Sequence, residues 1–520
     1  MTYEQNMTVR NRVAALRSWH DDWSGLRVAV LGLGMTGFSV ADTLVELGSR
    51  VRVIYGSEDA DRERLLDVIG AERALLRGDD AQLADLVGFD PELVIVSPGY
   101  RPDHPLTTWA TSHGVTVWGD IELGWRLRDK TGRIADWICV TGTNGKTTTS
   151  QLTAHMLVAG GLRAAPVGNI GVPILDALRD PQGYDALVVE LSSFQLHRLG
   201  PDAENGVSPY ASVCLNIADD HLDWHGSFDA YAAAKANVYE RTQVACVYNR
   251  ADERTMRMVE EADVVEGARA ISFGLDSPPS SGLGVVEGLL LDRAYHAERR
   301  NEAFELVSVE ELIERGLHAP HMVQNILAAA ALARARGVEP VQIAQAILSF
   351  EPDPHRVQRL GTVRGVQWVD DSKATNAHAA DASLRAFGDV VWLVGGLLKG
   401  VDIGSLVAAH ASRLRGAVVI GAERDAVLEA LQRHAPEVPV IEVSPVQTED
   451  TMTEAVAAAL SLAQAGDTVL LSPAAASMDQ FTDYADRGRR FQAAVAALGG
   501  DQGSGGDAHG DDTAAGVDGV

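Results

Sequence analysis

The chain has 520 residues and a formal net charge of −28, with 72 Asp and Glu against 44 Lys and Arg. That acid excess argues against nucleic acid or an anionic membrane as partner, since both need a basic face that releases counterions. One hydrophobic core does not organise a chain this long, so about three domains are expected; no apolar run nears the roughly 20 residues that span a bilayer, and the chain reads as soluble.

The N-terminal stretch MTYEQNMTVRNRVAALRSWHDDW lacks the apolar core and small-residue cleavage site of a secretory signal, so a cytoplasmic location is expected. Cys139, Cys214 and Cys246 each fall in an apolar, strand-like run and share no metal-ligand spacing, which predicts buried, reduced thiols.

In chain order, RVAVLGL from Arg27 to Leu33 reads as a buried strand, followed by a glycine turn and a helical pattern to about Gly48. The runs VRVIY, LVIVSPG and VTVWG continue the alternation and predict a doubly wound parallel sheet over a first domain, residues 1–133. Gly32, Gly34 and Gly37 form G-x-G-x-x-G, also the dinucleotide fingerprint. A nicotinamide site wants an acid at the end of the next strand, and here Tyr55, Gly56 and Ser57 come first, which argues against a dehydrogenase.

A second α/β series, residues 134–354, runs from DWICVTGTNGKTTT through ALVVELSSFQL, ASVCLNI and VACVYN to the helical pattern HMVQNILAAAALARARG. Its stretch Val264–Leu317 is glycine-rich and acidic with weak periodicity, and predicts a small sheet or a surface excursion rather than core. After the helix-breaking prolines of FEPDP a third series, residues 355–498, carries VQWVDDS, VVWLVGG, AVVIG, PVIEV and TVLLSPAAAS. Residues 499–520, with five Asp and no Lys or Arg, read as a disordered tail.

Chemistry concentrates in the second series. In TGTNGKTTT, small residues let backbone N–H groups of Gly142, Thr143, Asn144 and Gly145 curl round phosphate, Lys146 reaches the outer phosphate oxygens, Thr147 can ligate Mg²⁺, and Thr148 lies in the first helical turn. Val140 stands where the general phosphate-loop pattern has its first glycine, which sets this loop apart from generic kinases and GTPases. Glu190 ends a buried strand, at the carboxyl edge where such sheets bind ligands, and is a candidate metal carboxylate. The segment NIADDHLDWH crowds Asp219, Asp220, His221, Asp223 and His225 onto one loop, with Lys235 on the helix after it; His221 is the candidate ligand there.

Together TGTNGKTTT, ELSSFQL, NIADDHLDWHGSFDAYAAAK, HMVQN, DDSKATN and LLSPAAASMDQF, in this order, closely resemble the Mur ligases of peptidoglycan synthesis, and the third-domain motifs look like those of the D-glutamate-adding members. The resemblance implies a three-domain fold: an N-terminal Rossmann-like domain for a UDP-linked substrate, a central P-loop ATPase-like domain, and a C-terminal Rossmann-like domain for the amino acid. It implies that ATP and two Mg²⁺ ions are used, with Glu190, His221, Thr147 and a carbamylated Lys235 holding metal, and Asn325, Arg356 and Asp371 contacting ATP. Met35, Thr36, Ser97, Pro98, Gly99, Asn169 and His221 match positions for UDP-N-acetylmuramoyl-L-alanine. Thr375, Lys399, Ser477, Met478 and Tyr484 match the D-glutamate pocket, and Lys373 would lie beside an acyl phosphate. Lys146, Lys235, His221 and Lys373 are thus the expected catalytic groups, in a protein expected to be a monomer.

Overall fold

The computed structural model describes residues 12–199, 206–443 and 451–500. Two compact units, Met1–Pro352 and Asp353–Val520, divide the chain. Among the described residues no helix is long and apolar enough to cross a membrane. All three cysteines are buried and unpaired, as their apolar surroundings predict.

The first unit holds two sheets. One is wholly parallel: β1 (Arg27–Leu31), β2 (Arg50–Tyr55), β3 (Glu72–Leu75), β4 (Leu93–Val96) and β5 (Thr116–Gly119), in the order β3-β2-β1-β4-β5. β1 and β4 are near-continuous apolar runs because both faces are covered. β3 is a strand the sequence pattern does not announce: ERAL lies at the edge, partly exposed, and shows no apolar run.

The other sheet has nine strands: β6 (Asp136–Thr141), β7 (Ala164–Gly168), β8 (Ala186–Glu190), β9 (Ala211–Cys214), β10 (Ala245–Asn249), β11 (Arg269–Phe273), β12 (Gly282–Val286), β13 (Leu289–Asp292) and β14 (Phe304–Ser308). Their order is β14-β13-β12-β11-β10-β9-β6-β8-β7, parallel from β7 to β12 and antiparallel beyond. Helix Pro320–Ala335 packs on helix Lys146–Ala159, and its Ala328–Ala333 stretch is fully buried, the small side chains allowing close approach.

This corrects the expectation for residues 264–317. β11 pairs in register with β10, and Ile271, Phe273, Leu283, Leu290, Leu306 and Val307 belong to the central core. The strands are four or five residues long, too short to show periodicity, and many of the glycines and acids that masked them sit in the turns between.

Contacts within the first unit tie its two sheets. Ser39 Oγ donates to Asp176 at 2.6 Å, Arg198 to the Tyr100 carbonyl at 2.7 Å, and Gln195 Nε2 to the buried Asp120 carboxylate at 2.9 Å.

The second unit carries β15 (Gln358–Val363), β16 (Val366–Asp370), β17 (Val390–Val394), β18 (Leu414–Val419), β19 (Val440–Glu442) and β20 (Thr468–Leu471), ordered β15-β16-β20-β17-β18-β19 with only β15 antiparallel. Helix Tyr484–Gly500 closes it. The tail read from residue 499 therefore starts two residues inside a helix, and its remainder, 501–520, lies outside the described residues.

Candidate active site

β6 ends at Thr141 and the chain turns through Gly142–Gly145 into helix Lys146–Ala159. Two glycines are required by space as well as by backbone angle. At φ +147° a Cβ on Gly142 would lie 2.9 Å from Leu215 Cβ, and at φ +85° one on Gly145 would lie 2.4 Å from Asn325 Oδ1. Asn325, expected to contact ATP, thus touches the loop itself.

The loop's outer half is cradled by the chain leaving β9. Thr143 N donates to the Asn216 carbonyl at 2.9 Å, Asn144 N to Asn216 Oδ1 at 2.9 Å, and Asn216 Nδ2 returns a bond to the Asn144 carbonyl at 3.1 Å. Thr143 Oγ1 lies 2.9 Å from the buried Tyr231 hydroxyl and accepts from Ala218 N at 2.9 Å. The loop is therefore braced from outside, and it leads into the N-terminus of a helix, where the dipole is positive.

Lys146 Nζ donates to the carbonyls of Gly142 and Thr143, both at 2.9 Å. Lys235 reaches the same turn from helix Phe228–Ala236; its Nζ donates to Gly142 O at 2.9 Å and Thr141 Oγ1 at 3.2 Å. It is 2% exposed, and burial, reinforced by the nearby Lys146 charge, pushes its ammonium down to about 7.

Glu190 ends β8 beside β6 and is 2% exposed. Its Oε1 accepts from Asn169 Nδ2 at 3.0 Å, and its Oε2 is buried with no hydrogen-bond partner among the described residues. An orphaned carboxylate oxygen by the phosphate loop fits a hard divalent cation. Among the described residues no three His, Cys, Asp or Glu side chains gather closely enough to hold an ion. A cation with Thr147, Glu190 and phosphate or water oxygens around it is the chemistry this donor set suits, that of Mg²⁺. His221 caps the short helix Leu222–His225 at φ +54°, its ring 4.6 Å from that of Phe194 and its Nε2 3.6 Å from Asp220 Oδ2. Neighbouring His225 lies 2.9 Å from Ser193 Oγ and is pushed down to about 4, by burial first and then by His197.

In the first sheet the strand order reverses between β1 and β4, and the segments that follow these two strands, a loop running into a helix after β1 and a loop after β4, carry every first-domain candidate. Met35 and Thr36 open helix Met35–Glu46, with Met35 61% exposed; Ser97, Pro98 and Gly99 follow β4. Gly37 must be glycine, since its Cβ would sit 2.1 Å from the Gly32 carbonyl. Ser97 Oγ is buried without a hydrogen-bond partner among the described residues, and Trp224 Nε1 donates to the Gly99 carbonyl at 3.3 Å.

The second unit gathers the remaining candidates at the carboxyl ends of the neighbouring strands β16, β20 and β17. Asp371 is buried and accepts from Ser383 Oγ, Ser472 Oγ and Val357 N; burial still raises its carboxyl to about 6, with the Arg356 charge opposing. Lys373 Nζ lies 4.8 Å over the Tyr484 ring, and Thr375 N donates to the Lys373 carbonyl. Leu397 and Ala476 exchange backbone hydrogen bonds of 2.9 and 3.0 Å, which sets the turn carrying Lys399 beside Ser477 and Met478. Ser477 is buried and Met478 69% exposed.

Residues 140–333 match the Mur ligase middle domain and residues 355–475 the glutamate ligase domain of Mur ligases. The chain is 64% identical over 93% of its length, and 95% of the relative's, to a UDP-N-acetylmuramoylalanine–D-glutamate ligase of Leifsonia xyli. The chain belongs to the Mur ligase family. A Streptomyces coelicolor protein of the same name is 50% identical over 92% of this ligase and 99% of its own chain. Among solved structures, a Thermotoga maritima UDP-N-acetylmuramate–alanine ligase aligns at TM-score 0.54 and 19% identity, covering 91% of this chain and 99% of that one. A Psychrobacter arcticus murein peptide ligase aligns at 0.52 and 15%, covering 91% and 99%. At those identities the likeness concerns the fold, the three-domain α/β architecture expected of a Mur ligase, and membership makes the protein an ATP-dependent ligase.

Asn216 and Tyr231, which shape the phosphate loop of this Mur ligase, and Asp120, which anchors Gln195, are roles the sequence reading did not assign. An asparagine at the carboxyl end of the strand beside β6 was the available signal for Asn216; the other two depend on tertiary contacts.

Proposed function

We propose that this ligase joins UDP-N-acetylmuramoyl-L-alanine to D-glutamate through an acyl phosphate; its Leifsonia and Streptomyces relatives bear the name UDP-N-acetylmuramoylalanine–D-glutamate ligase. The substrate carboxylate oxygen attacks the γ-phosphorus of ATP and the bond to ADP breaks. The amine of D-glutamate then attacks the acyl carbon, the tetrahedral adduct expels phosphate, and one N–H proton leaves to give the amide. Chemistry of this type asks the protein chiefly for position and charge neutralisation.

The observation that carries the reading is the meeting of Lys146, Lys235 and the orphaned Glu190 carboxylate at one end of β6 and β8. Lys146 would neutralise the transferring phosphoryl group. Thr147, Glu190, His221 and Lys235 would hold Mg²⁺, which supplies charge neutralisation of phosphate and carboxylate oxygens when bound. Burial pushes the Lys235 ammonium down to about 7, so a substantial fraction of the amine is unprotonated at neutral pH and can take up carbon dioxide, and the carbamate formed would turn a cation into a carboxylate-like ligand. Residues 1–133 would hold the UDP handle through Met35, Thr36 and Ser97–Gly99, with Asn169 and His221 toward the sugar. Residues 134–354 would bind ATP, and residues 355–498 the amino acid through Thr375, Lys399, Ser477, Met478 and Tyr484. Lys373 would lie beside the acyl phosphate.

Phosphate release with UDP-N-acetylmuramoyl-L-alanine, ATP and Mg²⁺ tests this, comparing D-glutamate with L-glutamate and L-alanine. Release is expected with D-glutamate alone; equal or greater release with L-alanine would refute the substrate assignment.

A further inference from the structure

Arg487 stands in the charged stretch DYADRGRRF at the start of helix Tyr484–Gly500, where a solvated side chain is the ordinary expectation. Its side chain is instead wholly buried, at 0% exposure. A guanidinium taken out of water is costly unless its donors are met with good geometry, and here all three nitrogens have acceptors. Nε donates to Ser372 Oγ at 2.9 Å, Nη2 to the Ser372 carbonyl at 2.7 Å, and Nη1 to the Ala475 carbonyl at 3.1 Å. Ser372 Oγ in turn donates to the Tyr484 carbonyl at 2.7 Å.

One guanidinium thus joins the loop after β16, the loop after β20 and the start of the last helix. Each of these bears candidate amino-acid contacts. Lys373 and Thr375 follow Ser372, Ser477 and Met478 follow Ala475, and Tyr484 is itself in the network. The turn carrying Lys399 is attached through the Leu397–Ala476 pair. A lysine ammonium, a point charge on a flexible stem, does not reproduce the planar fork that spans two loops.

We propose that Arg487 is a positioning residue of the amino-acid pocket, holding the Ser372–Thr375 and Ala475–Met478 loops at fixed spacing so that they meet the incoming amino acid together. The proposal rests on the reading of this pocket as the D-glutamate site. Arg487 touches no substrate in this scheme and acts through its neighbours.

The test uses the full-length enzyme with Arg487→Lys, Arg487→Met and Arg487→Ala, each checked for a cooperative melt, and measures separate KM values for ATP, the UDP-linked substrate and D-glutamate. The expected result is a rise in the D-glutamate KM of about tenfold or more with the other two within about twofold, and partial restoration in Arg487→Ala by added guanidinium ion. A folded variant with an unchanged D-glutamate KM, or all three KM values rising together, overturns the proposal. Failure of every variant to fold overturns it as well, since the residue is then structural. Wild-type enzyme that uses a different amino acid refutes the D-glutamate reading alone, and the same KM split is then read with that amino acid.

Discussion

Lys146 and Lys235 share an acceptor: each Nζ donates to the Gly142 carbonyl oxygen at 2.9 Å. The two amines meet one carbonyl in different settings, Lys146 partly exposed and Lys235 buried. Lys146→Ala should lower phosphate release by about a thousandfold, the scale of losing one charge aimed at a transferring phosphoryl group. The variant should melt as the parent does; retention of more than about a tenth of the rate would remove Lys146 from the mechanism.

If Lys235 is carbamylated, ¹³C-bicarbonate should give a carbamate carbon resonance in the wild-type protein that is lost in Lys235→Met. The methionine variant should fold, since an apolar chain replaces a fully buried amine, and should be inactive. A resonance that persists in Lys235→Met places the carbamate elsewhere.

Asp120 couples stability to pH. Burial raises its carboxyl from 3.8 to about 6, against the opposing hydrogen bond from Gln195 and backbone N–H groups. The folded state therefore holds a proton that the unfolded chain releases, so the contribution of this group to stability is greatest below pH 3.8, falls as pH rises to about 6, and is level above. The difference is about 3 kcal/mol. Asp120→Asn keeps an acceptor for Gln195 and should be more stable than wild type above pH 6, with a flatter profile. Denaturant melts across this range decide the point; parallel profiles for the two proteins count against it.

Gly145→Ala places a methyl group against Asn325 Oδ1 in a left-handed backbone. A loss of about 1–3 kcal/mol is expected. Combining it with Asn325→Ala should recover part of that loss, and strict additivity in the double-mutant cycle would show that the contact is not the cause.

Lys399→Ala should raise the D-glutamate requirement far more than the ATP requirement. An equal rise in both would take Lys399 out of the amino-acid pocket.

Much of this was legible in consecutive residues. TGTNGKTTT is legible as a strand–turn–helix connection because its glycines and small residues are consecutive, and the burial of Glu190 is legible because a buried apolar strand fixes where its end lies. The strands β3, β7 and β15 were not legible, being edge strands with little apolar contrast. The sheet extension β11–β14 was hidden by its turns. Arg487 and Asp120 were invisible for a different reason: each is a charged residue beside a helix start, and only the surrounding fold decides that it is buried.

The place of β6 in its sheet has a dynamic consequence. With β8 on one side and β9 on the other, β6 cannot fray without losing two ladders at once. Amides of Ile138–Val140 should therefore be among the slowest in the first unit to exchange with deuterium, while β7 and β14, each laddered on one side, exchange sooner. On the proposed reading the nucleotide would dock against the least yielding part of this unit, so any accommodation there would fall to side chains such as Lys146, which would exchange its own loop carbonyls for phosphate oxygens.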